Sequence, residues 1–195
     1  MRQITLITTG GTIEKTYDEM TGSLDNRRSI VGRMLRRLRL VGTEVNTVQL
    51  MSKDSLLMDD HDRRRIVDTV KAVGGAGDAP TPTTGIVILH GTDTLEQTGE
   101  ALCAAIPEPR VPIVLTGAMR PYEMVRTDAL QNLTEAVFAT GLLEPGVWCV
   151  AHGRALRFPG VVKNRQLSTF VKPGELSAGG AANGAAGGAA EPDPE

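Results

Sequence analysis

Short runs of β-branched and aliphatic residues alternate along this chain with longer segments of helical periodicity. The runs at residues 4–8, 85–90, 111–116 and 147–151 are almost entirely apolar, as strands buried on both faces are. A fifth run, at residues 44–50, alternates and predicts a strand nearer an edge. Strands separated by helical segments indicate βαβ units. The sequence therefore predicts a single α/β domain with a doubly wound, mostly parallel sheet and helices on both faces, of Rossmann or flavodoxin-like type.

Four segments carry the helical period, at residues 29–40, 59–73, 95–106 and 127–139. In the first of them, Ile30, Met34 and Leu38 share one face, while the arginines occupy another. The second begins with several aspartates, which suit an N-terminal turn because the helix dipole favours negative charge there. These segments are the expected crossover helices between the strands.

Charge and cysteine content narrow the class of protein. The chain has 195 residues, with 21 Lys and Arg against 23 Asp and Glu, and this balance argues against a nucleic-acid partner. No apolar run approaches the roughly 20 residues of a membrane helix, and no signal peptide is predicted. Cys103 and Cys149 lack Cys-x-x-Cys spacing and are expected to be unpaired thiols. These features favour a cytoplasmic protein without a membrane partner.

Composition changes toward the C-terminus. Residues 1–176 are expected to form the folded domain. Residues 177–195 are rich in Ala and Gly, bury too little apolar surface to offset their ordering entropy, and are expected to be a disordered tail. The basic stretch at residues 27–39 is interpreted as a solvated helix face, with a nucleic-acid role as the alternative.

Polar clusters follow four of the predicted strands, at residues 8–12, 52–55, 90–94 and 116–121. Because the carboxyl ends of parallel strands meet at one edge of a sheet, we expect these clusters to converge on a ligand site. Their glycines allow sharp turns and expose backbone N–H groups, and their hydroxyls are possible nucleophiles. Helix capping is the alternative for any single cluster, since Thr and Asp are common N-caps.

The histidines and the glycine motif argue against a cofactor. The three histidines show no metal-ligand spacing, and His90 and His152 are interpreted as structural groups that each close a strand. Gly10-Gly11 lacks the Gly-Lys-Ser/Thr ending of a phosphate loop, although another nucleotide-binding fold remains an alternative. No metal or other cofactor is therefore predicted.

Several of these clusters resemble the motifs of a known family. Residues 9–13 (TGGTI) and 90–96 (HGTDTLE) resemble the two signature motifs of the bacterial-type L-asparaginase family. Residues 114–121 (VLTGAMRP) and the pair Asp128 and Asn132 are similar to two further landmarks of that family. The motifs occur in the family's order, and the resemblance spans residues 3 to 172.

The resemblance implies specific catalytic roles. Thr12 is implied to be the nucleophile, and Thr92 the second catalytic threonine. Asp93 is implied to orient Thr92 and to hold the α-amino group of the substrate. Lys163 lies where the family has the lysine that supports Thr92, and Tyr17 matches the family's lid tyrosine, in a lid predicted over residues 14–26. A hydroxyl nucleophile needs such a base or polarising group because it is weak at neutral pH.

The substrate-binding residues follow by the same resemblance. Ser55 is implied to bind the α-carboxylate, with Ser52 as the alternative. The other implied substrate contacts are Asp54, Gly91, Thr92, Asp93 and Ala118.

The resemblance implies an L-asparaginase that hydrolyses asparagine to aspartate and ammonia, with weak action on glutamine. An amidotransferase-type subunit that supplies ammonia to a partner is one alternative, and a non-catalytic amino-acid-binding domain is another. Family members are typically about twice as long, with a second domain that completes the neighbouring subunit's site. We therefore expect a short single-domain form, assembled as a homodimer or higher homo-oligomer.

Overall fold

A computed structural model of the chain describes residues 1–77 and 81–175, so the tail predicted at residues 177–195 lies outside the described part. The strands are β1 (Arg2–Gly10), β2 (Thr16–Asp18), β3 (Ser23–Asp25), β4 (Thr43–Lys53), β5 (Gly85–Leu89), β6 (Pro112–Thr116), β7 (Gly146–Ala151), β8 (Arg154–Arg157), β9 (Val162–Asn164) and β10 (Thr169–Val171). The α-helices are α1 (Val31–Leu35), α2 (Asp60–Val70), α3 (Leu95–Ala105) and α4 (Ala129–Ala139). Single 3-10 turns at Thr12–Glu14 and Ser55–Leu57 follow β1 and β4.

Six strands form the main sheet, in the order β4-β1-β5-β6-β7-β8. Neighbouring strands are parallel except β7 and β8, which are antiparallel. The parallel part has the strand order of flavodoxin-like doubly wound folds, and the direction of winding reverses between β1 and β5. The predicted fold class is confirmed. In such sheets ligands bind beyond the carboxyl ends of the strands at this reversal, which places the ends of β1 and β5 at the expected site.

Alternate residues of the central strands face two separate cores. Ile86 and Ile88 of β5 pack with residues of α2 and α3 on one side of the sheet. Val87 and Leu89 pack with residues of α1 and α4 on the other. All four side chains are fully buried. A strand buried on both faces has no polar alternation, and this explains the continuous apolar run in its sequence.

The helix predicted over residues 29–40 is much shorter in the structure. After α1, the backbone N–H groups of Arg37 and Leu38 donate to the carbonyls three residues earlier, so the chain continues as tight turns. Gly32 lowers helix stability through backbone entropy. Arg33 lies three and four positions before Arg36 and Arg37, so like charges repel each other on one face of the helix. The other three predicted helices are present, within a few residues of their predicted ends.

Two small hairpins lie outside the main sheet, β2–β3 and β9–β10. Their strands have three residues each, which is too short for a side-chain pattern to predict. Both hairpins nevertheless carry predicted site residues.

Candidate active site

The chain leaves β1 through two glycines that no other residue can replace without strain. Gly10 and Gly11 have positive φ angles of 98° and 81°. A Cβ atom on Gly10 would lie 2.5 Å from the backbone of Lys53, and one on Gly11 would lie 2.4 Å from the backbone of Gly91. The turns after β1, β4 and β5 are therefore in direct backbone contact. This contact sets Thr12 beside the end of β5.

Thr92 follows β5 and contacts a lysine from a distant segment. Lys163 Nζ donates to Thr92 Oγ1 at 2.7 Å and to Asp93 Oδ1 at 3.0 Å. Thr92 is buried, and the Lys163 side chain is only 14% exposed, so little water competes for these contacts. Arg165 also contacts Asp93 Oδ1, at 3.0 Å. An ammonium bound to the Thr92 oxygen favours the deprotonated hydroxyl, because it stabilises the developing negative charge.

The hairpin β9–β10 holds Lys163 in place. Lys163 on β9 pairs with Phe170 on β10, and the Phe170 side chain is buried in the core. The backbone N–H of Lys163 donates to Glu96 Oε2 of α3 at 3.0 Å. Lys163 is thus positioned by its pairing with β10, which Phe170 anchors in the core, and by its hydrogen bond to Glu96 of α3.

The turn after β4 brings Ser55 against the end of β5. A Cβ atom on Gly91 would lie 2.5 Å from Ser55 Oγ. This hydroxyl is buried and has no hydrogen-bond partner within residues 1–77 and 81–175, which is unusual for a buried polar group. Asp54 instead accepts from Lys15 Nζ at 2.8 Å, and this hydrogen bond lowers the pKa of Asp54 below its usual value. Asp54 therefore ties the turn after β1 to the turn after β4.

The turn after β6 contributes Ala118, whose side chain is buried. A Cβ atom on the preceding Gly117 would lie 2.3 Å from the carbonyl oxygen of His90, so this turn packs directly on the end of β5. Asp128, just before α4, accepts hydrogen bonds of 2.9 and 3.0 Å from the backbone N–H groups of the two residues after Ala118. The path of the turn is thus set by a carboxylate.

A side-chain network links the turn after β6 to the hairpin of Lys163. His152 Nε2 lies 2.8 Å from Asp128 Oδ2, and Nδ1 lies 2.9 Å from Thr169 Oγ1 on β10. Asn132 donates to the Gly117 carbonyl, which is part of the same turn. Burial alone would raise the pKa of Asp128, but the hydrogen bonds from His152 and the backbone lower it to about 2. His152, interpreted from sequence as a structural group, thus connects two elements of the site.

Tyr17 is the most exposed of the predicted catalytic residues, at 60%. It lies on β2 and pairs with Leu24 on β3. Its backbone N–H donates to Glu123 Oε2 at 3.1 Å, while Glu123 Oε1 accepts from Arg33 at 2.8 Å. These hydrogen bonds lower the pKa of Glu123, with the larger effect from Arg33. The predicted lid therefore contains the β2–β3 hairpin, and the Glu123 carboxylate holds this hairpin to the loop before α4.

Glu14 lies at the predicted start of the lid, but the structure buries it. It accepts from the backbone N–H of Gly10 at 3.2 Å and from the hydroxyl of Ser29. Burial raises the pKa of Glu14 despite these hydrogen bonds. The hairpin therefore begins after it, at Thr16. The sequence signal for this buried role was the position of an acidic residue, Glu14, two residues after Thr12.

His90 is completely buried beneath the site. Its Nδ1 donates to the carbonyl of Gly91 at 2.8 Å, and its Nε2 accepts from the hydroxyl of Thr98 at 2.8 Å. Burial lowers the pKa of His90 to about 4. A neutral imidazole with both nitrogens satisfied is a structural group, as the sequence position predicts.

Within the part of the chain that the structure describes, no three His, Cys, Asp or Glu side chains cluster as metal ligands would. In residues 1–77 and 81–175, no helix has the length and apolar character needed to cross a bilayer. Cys103 and Cys149 are unpaired.

The fold and the site together define the class of the protein. A flavodoxin-like sheet carries hydroxyls at its winding reversal, one of them bound to a largely buried lysine, beside tightly packed glycine turns. Hydroxyls, a lysine and exposed backbone N–H groups in this arrangement are the groups that catalysis by a hydroxyl nucleophile uses. A family profile described as Asparaginase, N-terminal, matches residues 3–183. The chain belongs to the asparaginase family, and the resemblance seen in its motifs is confirmed.

Individual relatives agree with the family. The chain is 33% identical to an L-asparaginase of Thermococcus kodakarensis over 146 residues, which are 75% of this chain and 43% of that protein. It is 31% identical to a subunit of glutamyl-tRNA(Gln) amidotransferase from Methanobrevibacter smithii over 138 residues, which are 71% of this chain and 30% of that protein. The chain therefore matches less than half the length of these relatives.

Solved structures give the same result. The thermostable L-asparaginase from Thermococcus kodakarensis superimposes with a TM-score of 0.75 at 28% identity, covering 87% of this chain and 51% of that chain. A structure described as a probable cytoplasmic L-asparaginase from Campylobacter jejuni gives a TM-score of 0.74 at 28% identity, covering 89% and 53%. The chain corresponds to about half of each.

Proposed function

We propose that this chain hydrolyses the side-chain amide of L-asparagine to L-aspartate and ammonia, with Thr12 as the nucleophile. The observation that carries the proposal is the contact of Lys163 Nζ with both Thr92 Oγ1 and Asp93 Oδ1, at the sheet edge where Gly11 brings Thr12 against β5. Similarity to the Thermococcus kodakarensis protein, named an L-asparaginase, supports the choice of substrate.

The chemistry proceeds in two stages. Thr12 Oγ attacks the amide carbon, ammonia leaves with the transferred proton, and an ester forms between Thr12 and the aspartyl group. A water molecule then attacks this ester, and aspartate leaves. Thr92 Oγ1, whose deprotonated form the Lys163 ammonium favours, accepts the proton of Thr12 and delivers it to the leaving nitrogen. General-base help of this kind contributes about 10² to 10⁴ in rate. The backbone N–H groups of the glycine turns stabilise the oxyanion, at about 3 kcal/mol for one donor.

Substrate orientation is assigned to charged and hydroxyl groups. Asp93 binds the α-ammonium through Oδ2, because both of its cationic partners contact Oδ1. Ser55 donates its unpartnered hydroxyl to the α-carboxylate. Gly91 and Ala118 contribute the backbone surface against which the side-chain amide lies. Asp54 acts indirectly, through its ion pair with Lys15.

Ammonia release tests the proposal. The purified chain is incubated with L-asparagine, and the Thr12→Ala variant is compared with Thr134→Ala. Thr134 is an exposed helix residue that bonds only its own helix carbonyl, and so is a matched control. We expect ammonia from the wild type and from Thr134→Ala, and at least a roughly 100-fold loss in Thr12→Ala. Unchanged turnover in Thr12→Ala excludes it as the nucleophile.

A second candidate is an amidotransferase-type subunit that supplies ammonia to a partner enzyme. The similarity to proteins named as subunits of glutamyl-tRNA(Gln) amidotransferase favours it. Such a protein releases ammonia only when its partner and the acceptor substrate are present. Turnover of free asparagine by the isolated chain excludes this role. Asparagine binding by calorimetry without any ammonia favours a binding domain instead.

Location and assembly belong to the same proposal. We propose a cytoplasmic homodimer or higher homo-oligomer. The name of the Campylobacter jejuni structure supports the location. Phe138 and Leu142, exposed at the end of α4, support association through a sheet-flanking helix. Sedimentation of the wild type and of Phe138→Ser tests the assembly, and a wild-type monomer contradicts it.

A further inference from the structure

A cavity lined by arginines lies outside the candidate active site. Its volume is about 600 Å³, within the range of small-molecule sites. One wall is formed by α1 and the turn that follows it, with Arg33, Arg36 and Arg37, and the other by the loop before α4, with Tyr122 and Arg126. We call this the arginine cavity. None of its residues has a role in the proposed hydrolysis.

The charges in the arginine cavity are not balanced. Arg33 pairs with Glu123, the one carboxylate among the lining residues. Arg36 and Arg126 have no acidic partner within 4 Å in residues 1–77 and 81–175, and Arg37 lies over the Tyr122 ring at 6.0 Å. Four guanidinium groups held around one concave space repel each other and create a positive potential that attracts anions.

Backbone conformation adds a second observation. Arg126 has a φ of 60°, in the left-handed region that side chains with a Cβ rarely adopt. Such strain persists only where the surrounding structure enforces it, and it concentrates at ligand-binding loops. Here it occurs at the residue that completes the arginine cavity from the side opposite α1.

We infer that the arginine cavity binds a small polyphosphate anion, and that the bound anion draws Arg33 away from Glu123 and so loosens the β2–β3 hairpin. A planar guanidinium group can donate two parallel hydrogen bonds to a phosphate. Several arginines around one cavity can therefore bind several phosphate oxygens at once. The volume accommodates a chain of two or three phosphates. Tyr122, with Met124 and Leu130 on the same wall, provides an apolar surface for any organic group attached to the phosphates.

Glu123 couples the arginine cavity to the hairpin. Its Oε1 accepts from Arg33 at 2.8 Å, and its Oε2 accepts from the backbone N–H of Tyr17 at 3.1 Å. A polyphosphate competes with this carboxylate for Arg33 and repels it, so the acceptor of the Tyr17 N–H loses its fixed position. Occupancy of the arginine cavity therefore reaches the segment that carries the predicted lid tyrosine.

Calorimetric titration of the full chain tests the binding. Inorganic tripolyphosphate and ATP are the two probes, which separate phosphate recognition from recognition of an attached base. We expect both to bind one site, and Arg36→Gln and Arg126→Gln each to weaken tripolyphosphate about tenfold. Arg39→Gln is the matched control, because it removes the same charge from the same segment outside the cavity, and it should change affinity less than about twofold.

Two results overturn the binding site. Equal weakening by Arg39→Gln and Arg126→Gln means diffuse attraction to a basic surface. A single-stranded RNA oligonucleotide that binds when neither probe does assigns the surface to nucleic acid. Neither measurement uses asparagine, so failure here and failure of the proposed hydrolysis are distinguishable.

Hydrogen exchange tests the coupling. With tripolyphosphate at saturation, the amides of residues 16–25 should exchange severalfold faster than in the free protein. In Glu123→Gln, which removes the charge that Arg33 holds, exchange should be fast already and should not respond to the anion. Unchanged or slower exchange in the wild type with bound tripolyphosphate overturns the coupling.

Discussion

The hydroxyls of three candidate site residues differ in burial and in hydrogen bonding. The Thr92 hydroxyl is buried and bound to Lys163, whereas the Ser55 hydroxyl is buried without a partner in the described ranges. Thr12 is half-buried in a 3-10 turn. The same chemical group thus occurs in three environments within one site. Only the first includes a cation that can stabilise a deprotonated hydroxyl, and for this reason the general-base role is proposed for Thr92.

The Thr92–Lys163 contact predicts non-additive kinetics. Thr92→Val and Lys163→Met should each lower kcat for asparagine by about 10² to 10⁴, because each removes one member of the proton-accepting pair. The double variant should be no slower than the slower single variant, since residues acting as a unit are lost together. Steady-state kinetics of the four proteins measures this. Multiplicative losses in the double variant would show that the two residues act separately.

His90 predicts an acid-sensitive stability. Burial lowers the pKa of His90 to about 4 from 6.5, so between these pH values the unfolded chain binds a proton that the folded chain does not. Its contribution is complete above pH 6.5 and is lost as the pH falls toward 4, amounting to about 3 kcal/mol. Urea unfolding of the wild type and of His90→Gln at about pH 7.5 and about pH 4.5 measures the difference.

The variant His90→Gln should lose this part of the pH dependence even if it is less stable at both pH values. His61→Gln is the control, because His61 is exposed in the first turn of α2. Wild-type pH dependence in His90→Gln would assign the acid sensitivity to other groups.

At the scale of the elements, backbone contacts between turns assemble the site. Gly11 contacts Gly91, Gly91 contacts Ser55, and Gly117 contacts the carbonyl of His90. Each contact joins the ends of two different strands, so the turns cannot be displaced independently. The Asp128–His152–Thr169 network then joins the turn after β6 to the hairpin of Lys163.

Gly91→Ala tests this packing. The added Cβ would lie 2.5 Å from Ser55 Oγ and 2.6 Å from its Cβ, so the turns after β4 and β5 must separate. We expect a loss of about 1–3 kcal/mol in unfolding free energy, typical of overpacking, together with lower asparagine turnover. A Cβ atom on Gly174 would meet no atom of residues 1–77 and 81–175 within 4 Å, so Gly174→Ala should change stability by less than about 0.5 kcal/mol. Chemical denaturation and ammonia release are the measurements, and equal stability of the two variants refutes tight contact between the turns.

At the scale of the whole molecule, the main sheet lies between two hydrophobic cores and contributes residues to both. Leu102 of α3 is fully buried on one face, and Leu133 of α4 is fully buried on the other. Both faces use the same central strands, so neither core can be lost while the other remains. The described part of the chain is therefore expected to unfold in a single transition.

Truncation of the two leucines tests this cooperativity. Leu102→Ala and Leu133→Ala should each cost about 2–5 kcal/mol of unfolding free energy, because each leaves a cavity in a packed core. Leu167→Ala, at a side chain that is 64% exposed and outside the proposed subunit interface, should cost little. In every variant the fluorescence of Trp148, the only tryptophan, and the far-ultraviolet circular dichroism should change at the same urea concentration. Separate midpoints would show that the two faces unfold independently.

The local pattern of apolar and polar residues was sufficient to predict the main strands and the long helices, whose formation depends on residues close together in the sequence. Four apolar runs and the alternating run at residues 44–50 predict the five parallel strands, and the helical period predicts the long helices, because burial imposes these patterns on nearby residues. The same pattern overestimated α1, where the arginines and Gly32 interrupt the helix although the apolar spacing continues. It also gave no sign of the hairpins, whose strands are too short to show a period.

The sequence by itself determined the class of fold, the glycine turns and the family motifs, since each is encoded in a short stretch of residues. Tertiary structure decided which distant residues meet. The family resemblance implied that Lys163 supports Thr92, and the structure shows the contact itself. Lys163 contacts Thr92 across 71 positions, and the arginine cavity joins residues 33–37 to residues 122–126. Such contacts depend on strand order and on the paths of the connections between strands. These follow from the packing of the whole chain, which no local period in the sequence records.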